Sequence, residues 1–205
     1  MEASLSGTLG YVLTRTQDGA TLRQAIGEAV AQGLAEPDPR IDLSGGDVRR
    51  KLLILLREAG IDLDERQIAL DPLLRLSPTV PWEDAVAAHE RDWLQLLDDA
   101  RRAGQRLVYR ARWRLDGGAE IGPALVPADH PLAGARGTEN RVVLHTRYYG
   151  DQALVIAGAG AGVRITAAAV LADLKAVADT LLSRTGTAAA LESTGLRSLK
   201  ASACG

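Results

Sequence analysis

The stretch Glu36-Pro37-Asp38-Pro39-Arg40-Ile41-Asp42-Leu43-Ser44-Gly45-Gly46-Asp47-Val48-Arg49-Arg50-Lys51, continuing as Leu52-Leu53-Ile54-Leu55-Leu56-Arg57, decides how this chain is read. It is an acidic loop that feeds a helix. Each proline fixes its own φ and pushes the residue before it out of the helical region, so the loop is expected to be extended. Ser44 with Asp47 after it is related to a capping box and marks the helix start. Asp47 and Lys51 then share a helix face. Val48, Leu52, Leu55, Leu56 and Ala59 form the expected apolar stripe, with Arg50 and Arg57 roughly opposite. Glu36, Asp42, Asp47 and Lys51 therefore gather around the start of a largely buried helix. Such a set suits a small polar molecule that bears an amine. An Asp–Lys pair at this spacing is also an ordinary helix-surface pair worth roughly 0.2–0.5 kcal/mol, and on the residues alone both readings stay open.

Outward from this stretch, Met1 to Ser6 reads as the end of a strand without obvious partners. Ser6-Gly7-Thr8 leads into a helix through Leu13. Thr8 is expected to cap it; alternatively, Gly7 and Thr8 offer close backbone and a hydroxyl to a ligand. Thr21 to Gln32 repeats apolar residues at helical spacing, and Gly33 ends it. A short strand is expected around Ile68-Ala69-Leu70. One long helix is expected from Trp82 to Ala103, with Val86, Trp93, Leu96, Leu97 and Ala100 on its core face.

From Arg106 the period changes to two. Leu107–Leu115 and Ala119–Pro127 are joined by Asp116-Gly117-Gly118, and strands over Arg141–Tyr149 and Ala153–Ala157 follow. The expected fold is α+β, a mostly antiparallel mixed sheet covered on one face by helices. The other face carries Arg110, Arg112, Arg114, His145 and Arg147, and is either solvated or a pairing surface for a second subunit. His89, His130 and His145 share no metal-like spacing; they read as ordinary surface or loop residues, and no metal site is expected.

The run Gly158-x-Gly160-x-Gly162 after an apolar strand imitates a dinucleotide fingerprint but fails as one. Val163 stands where the third glycine belongs, and no second strand ending in an acidic residue follows. By the residues it is a tight turn before a helix from Thr166 to Leu182. Ser183 to Gly205 is rich in Ser, Thr, Ala and Gly and is expected to be a disordered tail, leaving residues 1–182 as the structured domain.

Hydrophobic residues make up 46% of the 205 residues and Phe is absent, so the core must be aliphatic. A net charge of −2 provides no basic field for nucleic acid and no polybasic membrane patch. Cys204 is the single cysteine, which excludes a disulfide framework. No signal-peptide pattern opens the chain and no uncharged run is long enough to span a bilayer, so the expected setting is cytoplasmic.

The acidic stretch, read from Gly33 to Glu58, resembles the signature of homoserine dehydrogenases, most closely the form fused to aspartate kinase. Three further stretches agree in order: Ser6-Gly7-Thr8-Leu9, the loop from Asp129-His130-Pro131-Leu132 to Gly137-Thr138-Glu139-Asn140, and the glycine run at Gly158–Gly162. An accidental match of all four by an unrelated domain is not a serious competitor. The resemblance implies NAD- or NADP-dependent interconversion of L-aspartate 4-semialdehyde and L-homoserine, in threonine, methionine and isoleucine biosynthesis. It implies Lys51 as the proton donor, its ammonium disfavoured by partial burial and supported by Asp47. Glu36 and Asp42 would hold the substrate's ammonium, Asp47 would orient substrate or Lys51, and Gly7 and Thr8 would contact substrate from the other side. Gly158 and Gly160 would lie near the nicotinamide end of the cofactor. Ile41 replaces the first of two expected aspartates, whereas Asp42, the one assigned to substrate, is retained. The family is expected to begin with a nucleotide-binding half that supplies a second lysine. No strand–GxGxxG–helix unit precedes the acidic loop, so the chain reads as the substrate and dimerisation half. The alternative is a non-catalytic binding and dimerisation module.

Overall fold

The computed structural model describes residues 1–149 and 151–184; the expected tail lies outside them from residue 185 onward. The chain divides into two compact units, Met1–Gly160 and Ala161–Gly205. The first is built on a six-stranded sheet of order β2-β4-β3-β1-β5-β6, with β1 at Glu2–Ser4, β2 at Ile68–Leu70, β3 at Gln105–Arg114, β4 at Gly118–Pro127, β5 at Glu139–Leu144 and β6 at Leu154–Ala159. All pairings are antiparallel except β2 with β4, so the fold is the expected mixed α/β arrangement. The hairpin β3–β4 runs in unbroken register from Gln105↔Pro127 to Arg114↔Gly118. The partners of β1 are β3 and β5, which places the opening residues at the centre of the sheet.

Among the described residues, six α-helices belong to this unit: α1 at Gly7–Gln17, α2 at Leu22–Ala31, α3 at Arg40–Leu43, α4 at Gly46–Glu58, α5 at Trp82–Ala87 and α6 at Glu90–Arg102. Leu9, Val12, Ile26, Leu52, Leu56 and Trp93 bury against Ala3, Leu107, Tyr109, Ala111 and Ile121 in one core. In α4 the buried residues are Val48, Leu52, Leu53 and Leu56; Leu53 faces the core, whereas the expected Ala59 is exposed.

Two expected elements are corrected. The long helix 82–103 is two helices that meet at His89. The break lets Glu90 reach across and accept the Leu22 amide at 2.9 Å and the Arg23 amide at 3.3 Å. A carboxylate there satisfies amide groups that the first turn of α2 leaves without helical partners. Leu96, expected on the core face, is 37% exposed. The strand expected through Tyr149 stops at Leu144, where pairing with β6 begins at Leu154. Arg147 therefore leaves the sheet face, and its guanidinium lies 5.8 Å from the centre of the Tyr148 ring.

The sheet's outer face is divided. Val108, Val126 and Val143 bury beneath Leu132 and Ala133 of a 3₁₀ turn, Pro131–Gly134, in a second small core. Beside it lies a charged zone centred on Glu2. In the second unit, helix α7 spans Val163–Arg184, so it starts earlier than Thr166. Val170, Leu171 and Leu174 are exposed on it. No helix among the described residues is long and apolar enough to cross a membrane.

Candidate active site

Ser6, not Thr8, caps α1: its backbone is extended and its Oγ accepts the Leu9 amide at 3.2 Å. Thr8 is released from that role. Its hydroxyl bonds the Leu34 carbonyl and lies 3.3 Å from Asp42 Oδ1. The other oxygen of Asp42 accepts the Glu36 amide at 2.9 Å. One carboxylate thus ties the first turn of α1 to the acidic loop. Glu36 joins through its backbone, and its side chain is exposed.

The loop is not extended throughout. Pro39 starts the short helix α3, and the buried Leu43 anchors it, accepting the Leu73 amide at 2.9 Å. Asp38 accepts the Arg40 amide at 3.1 Å and faces its guanidinium, and both hold the Asp38 carboxyl below its usual range. Ser44 does not cap α4. It closes α3, donating to the Ile41 carbonyl at 2.6 Å and accepting the Gly46 amide at 3.3 Å. The cap position of α4 belongs to Gly45, at φ +77°. A side chain there is doubly excluded, by that backbone angle and because its Cβ would fall inside the Tyr109 hydroxyl. Tyr109 donates to the Asp71 carbonyl at 2.8 Å. Burial, and then the nearby Asp71 charge, push its phenol pKa up.

With α4 started in this way, Lys51 points back toward α1. Its ammonium donates to the Leu5 carbonyl at 3.0 Å and pairs with Asp47 at 2.8 Å. Asp47 also takes Arg50 at 3.4 Å. The Lys51 and Asp47 side chains are 38% and 50% exposed, so water screens the pair and its effect is on orientation more than stability. An ammonium has three N–H groups. With one on Leu5 and Asp47 beside another, a donor remains for a ligand oxygen.

The structure therefore makes two bonded groups: Lys51, Asp47 and the Leu5 carbonyl; and Thr8, Asp42 and the Glu36 amide. Only Ser6 and Gly7 separate them along the chain between Leu5 and Thr8. The carbonyls of Leu5 and Leu34 and the Tyr109 brace were not found from the sequence, because backbone acceptors and distant packing leave no signature in residue types.

Gly158 lies in β6 opposite Asn140, and Gly160 follows that strand. A Cβ on Gly160 would fall inside the Asn140 carboxamide, whose Oδ1 is buried without a partner. Gly160 is thus glycine because Asn140 occupies its side-chain space. At Gly158 a Cβ would meet no atom within 4 Å, which leaves an open backbone flank. A separate groove of about 500 Å³ at the β2–β4 edge, lined by Asp71, Arg75, Arg110 and Glu120, contains none of these site residues. Among the described residues no three His, Cys, Asp or Glu side chains gather as a metal-binding set.

Comparison with known proteins agrees with this architecture. The homoserine dehydrogenase family profile matches residues 1–174. The bifunctional aspartokinase/homoserine dehydrogenase 2 of Escherichia coli (strain K12) is 38% identical over 181 residues, covering 86% of this chain and 22% of that protein. Among solved structures, a Candida auris protein of unknown function superposes with a TM-score of 0.79 at 31% identity, over 87% of this chain and 52% of that one. A putative homoserine dehydrogenase from Archaeoglobus fulgidus gives 0.68 at 26%, over 86% and 49%. The chain thus spans about a fifth of the bifunctional relative's length and about half of each solved chain. A match over most of the chain, on a fold that assembles the acidic loop, the lysine helix and the Gly7–Thr8 turn, means that this chain belongs to the homoserine dehydrogenase family, oxidoreductases that act on a CH–OH group and generally use NAD(P).

Proposed function

We propose that the chain is the substrate-binding and catalytic part of a homoserine dehydrogenase, interconverting L-aspartate 4-semialdehyde and L-homoserine. One observation carries this reading: the Lys51 ammonium is held between Asp47 and the carbonyl of Leu5, and Leu5 lies just upstream of the turn whose Thr8 meets Asp42. In the reductive direction Lys51 gives the ammonium proton not engaged by Leu5 or Asp47 to the carbonyl oxygen as the carbon becomes CH–OH, leaving a neutral amine; in the oxidative direction the neutral amine takes the hydroxyl proton. Asp47 aims the amine. The lone pairs of Asp42 not used by Thr8 and the Glu36 amide, with the exposed Glu36 carboxylate, take the substrate's ammonium. NADP or NAD supplies the hydride when bound. The open flank at Gly158 fits a flat ring, and Gly160, seated on Asn140, would hold that flank in place. These residues serve the nicotinamide end alone; phosphate binding is assigned to a nucleotide-binding half, supplied by another segment or another chain. A second copy of the chain is proposed to pair on the sheet's outer face.

The test is reduction of NADP and NAD with L-homoserine, with and without a separately made nucleotide-binding half, alongside Lys51→Ala. The expected result is turnover in the presence of that half, lowered about 10²- to 10⁴-fold by Lys51→Ala. Homoserine binding without turnover in either mixture would favour the non-catalytic binding module instead.

A further inference from the structure

His130 opens the Pro131–Gly134 turn with both ring nitrogens engaged. Nδ1 accepts the Leu132 amide at 3.2 Å, which assigns the ring proton to Nε2, 3.1 Å from Glu2 Oε2. Glu2 is 7% exposed. Its carboxylate also takes Arg110 at 3.2 Å and Arg112 at 3.4 Å, with His145 at 3.6 Å. A buried carboxylate held by several partners is a fixed point, because removing one leaves charge uncompensated. His130 is thereby tied to the middle of the sheet.

Downstream of His130 the chain is held along its length. Leu132 and Ala133 are buried in the outer core, and Arg141 donates to the Pro131 carbonyl at 2.6 Å. The segment then meets α1. The Gly137 amide donates to Thr14 Oγ1 at 3.1 Å, and the Thr14 hydroxyl donates to the Gly10 carbonyl at 2.8 Å. The Gly137 carbonyl stands 2.7 Å from where a Cβ on Gly10 would be, and Thr138 Cβ 3.3 Å from that of Gly7. Packing this close leaves little slack, so the height of the segment sets where the first turn of α1 lies.

We propose that His130 is a positioning residue for the Gly7–Thr8 turn: it anchors segment 131–138 to Glu2, and that segment seats the start of α1 so that Thr8 meets Asp42. The proposal rests on the proposed function only in treating Gly7 and Thr8 as substrate contacts. The test is amide hydrogen exchange on the full 205-residue chain, with L-homoserine affinity measured in parallel by calorimetry. In His130→Ala, exchange over 131–138 and over 7–10 is expected to rise about fivefold, while that of 52–56 in α4 stays unchanged. Homoserine affinity should fall by a similar factor. His130→Gln, which keeps a donor and an acceptor, should recover part of both. Thr14→Val removes the acceptor beneath Gly137 without touching the charge cluster and should also loosen 7–10. It tests the same path if His130→Ala fails to fold. Loosening of 131–138 with 7–10 unchanged overturns the proposal, as does an equal rise across α4, which would mean general destabilisation. If the unaltered chain does not bind homoserine, the proposed function fails; the exchange pattern still supports or overturns the positioning role.

Discussion

At the scale of single residues, the site depends on groups whose partners are backbone atoms. Thr8 is the clearest case: its hydroxyl joins the Leu34 carbonyl and Asp42. Thr8→Val keeps the shape and removes the hydroxyl. Homoserine affinity measured by calorimetry is expected to fall about tenfold, because Asp42 loses a partner that orients it. An unchanged affinity would remove Thr8 from the site. Tyr109 offers a test by pH. Burial raises its folded pKa above the ordinary value of about 10, so the buried neutral phenol contributes stability below that pH. That contribution is lost as pH rises from about 10 toward the higher folded value. Urea unfolding should show stability falling above pH 10 more steeply in the native chain than in Tyr109→Phe. Identical pH slopes would mean that the phenol is not held neutral by folding.

At the scale of elements, the start of α4 controls the direction of Lys51. A left-handed Gly45 beneath the Tyr109 hydroxyl fixes where the helix begins. Gly45→Ala is expected to cost more than about 2 kcal/mol in denaturant unfolding and to weaken homoserine binding; a neutral result would show that the helix start can shift freely. The Gly160–Asn140 contact makes a second prediction of this kind. Gly160→Ala should destabilise the chain, and adding Asn140→Gly should restore part of the loss in a double-mutant cycle. Additive effects would show that the two residues do not compete for the same space. The helix stretch containing Lys51 was legible because its apolar period and charges are local. The Ser44 cap was misread because a serine can close one helix as readily as open the next, and only the path of α3 decides which.

At the scale of the whole molecule, the outer face joins an apolar patch under the Pro131–Gly134 turn to the Glu2 cluster. A second copy seated there would cover the charged zone and add to the partners of Arg110, Arg112 and Glu120. Sedimentation is expected to show a dimer that dissociates with Ala124→Glu, a substitution on the outer face opposite Val108. A monomer at all concentrations would remove this face as a pairing surface. His130 and His145 lie in loops, as the sequence suggested, but their shared partner was not legible at any smaller scale: residues 128 and 143 positions from Glu2 in sequence meet it only because β1 is central to the sheet.

The sequence by itself determined most of the helices and strands with a local period, the hairpin around Asp116–Gly118, and the candidate residues Thr8, Asp42, Asp47 and Lys51 that the fold brings into hydrogen-bonded groups. Those features depend on side-chain patterning and turn chemistry within a few neighbouring positions. Tertiary structure alone decided that the opening strand lies at the centre of the sheet, that α5 and α6 are separate, that Ser6 caps α1, that Tyr109 and Asn140 occupy the side-chain space of Gly45 and Gly160, and that His130 meets Glu2. These outcomes come from contacts between distant segments, where close packing and shared hydrogen-bond partners override local preference.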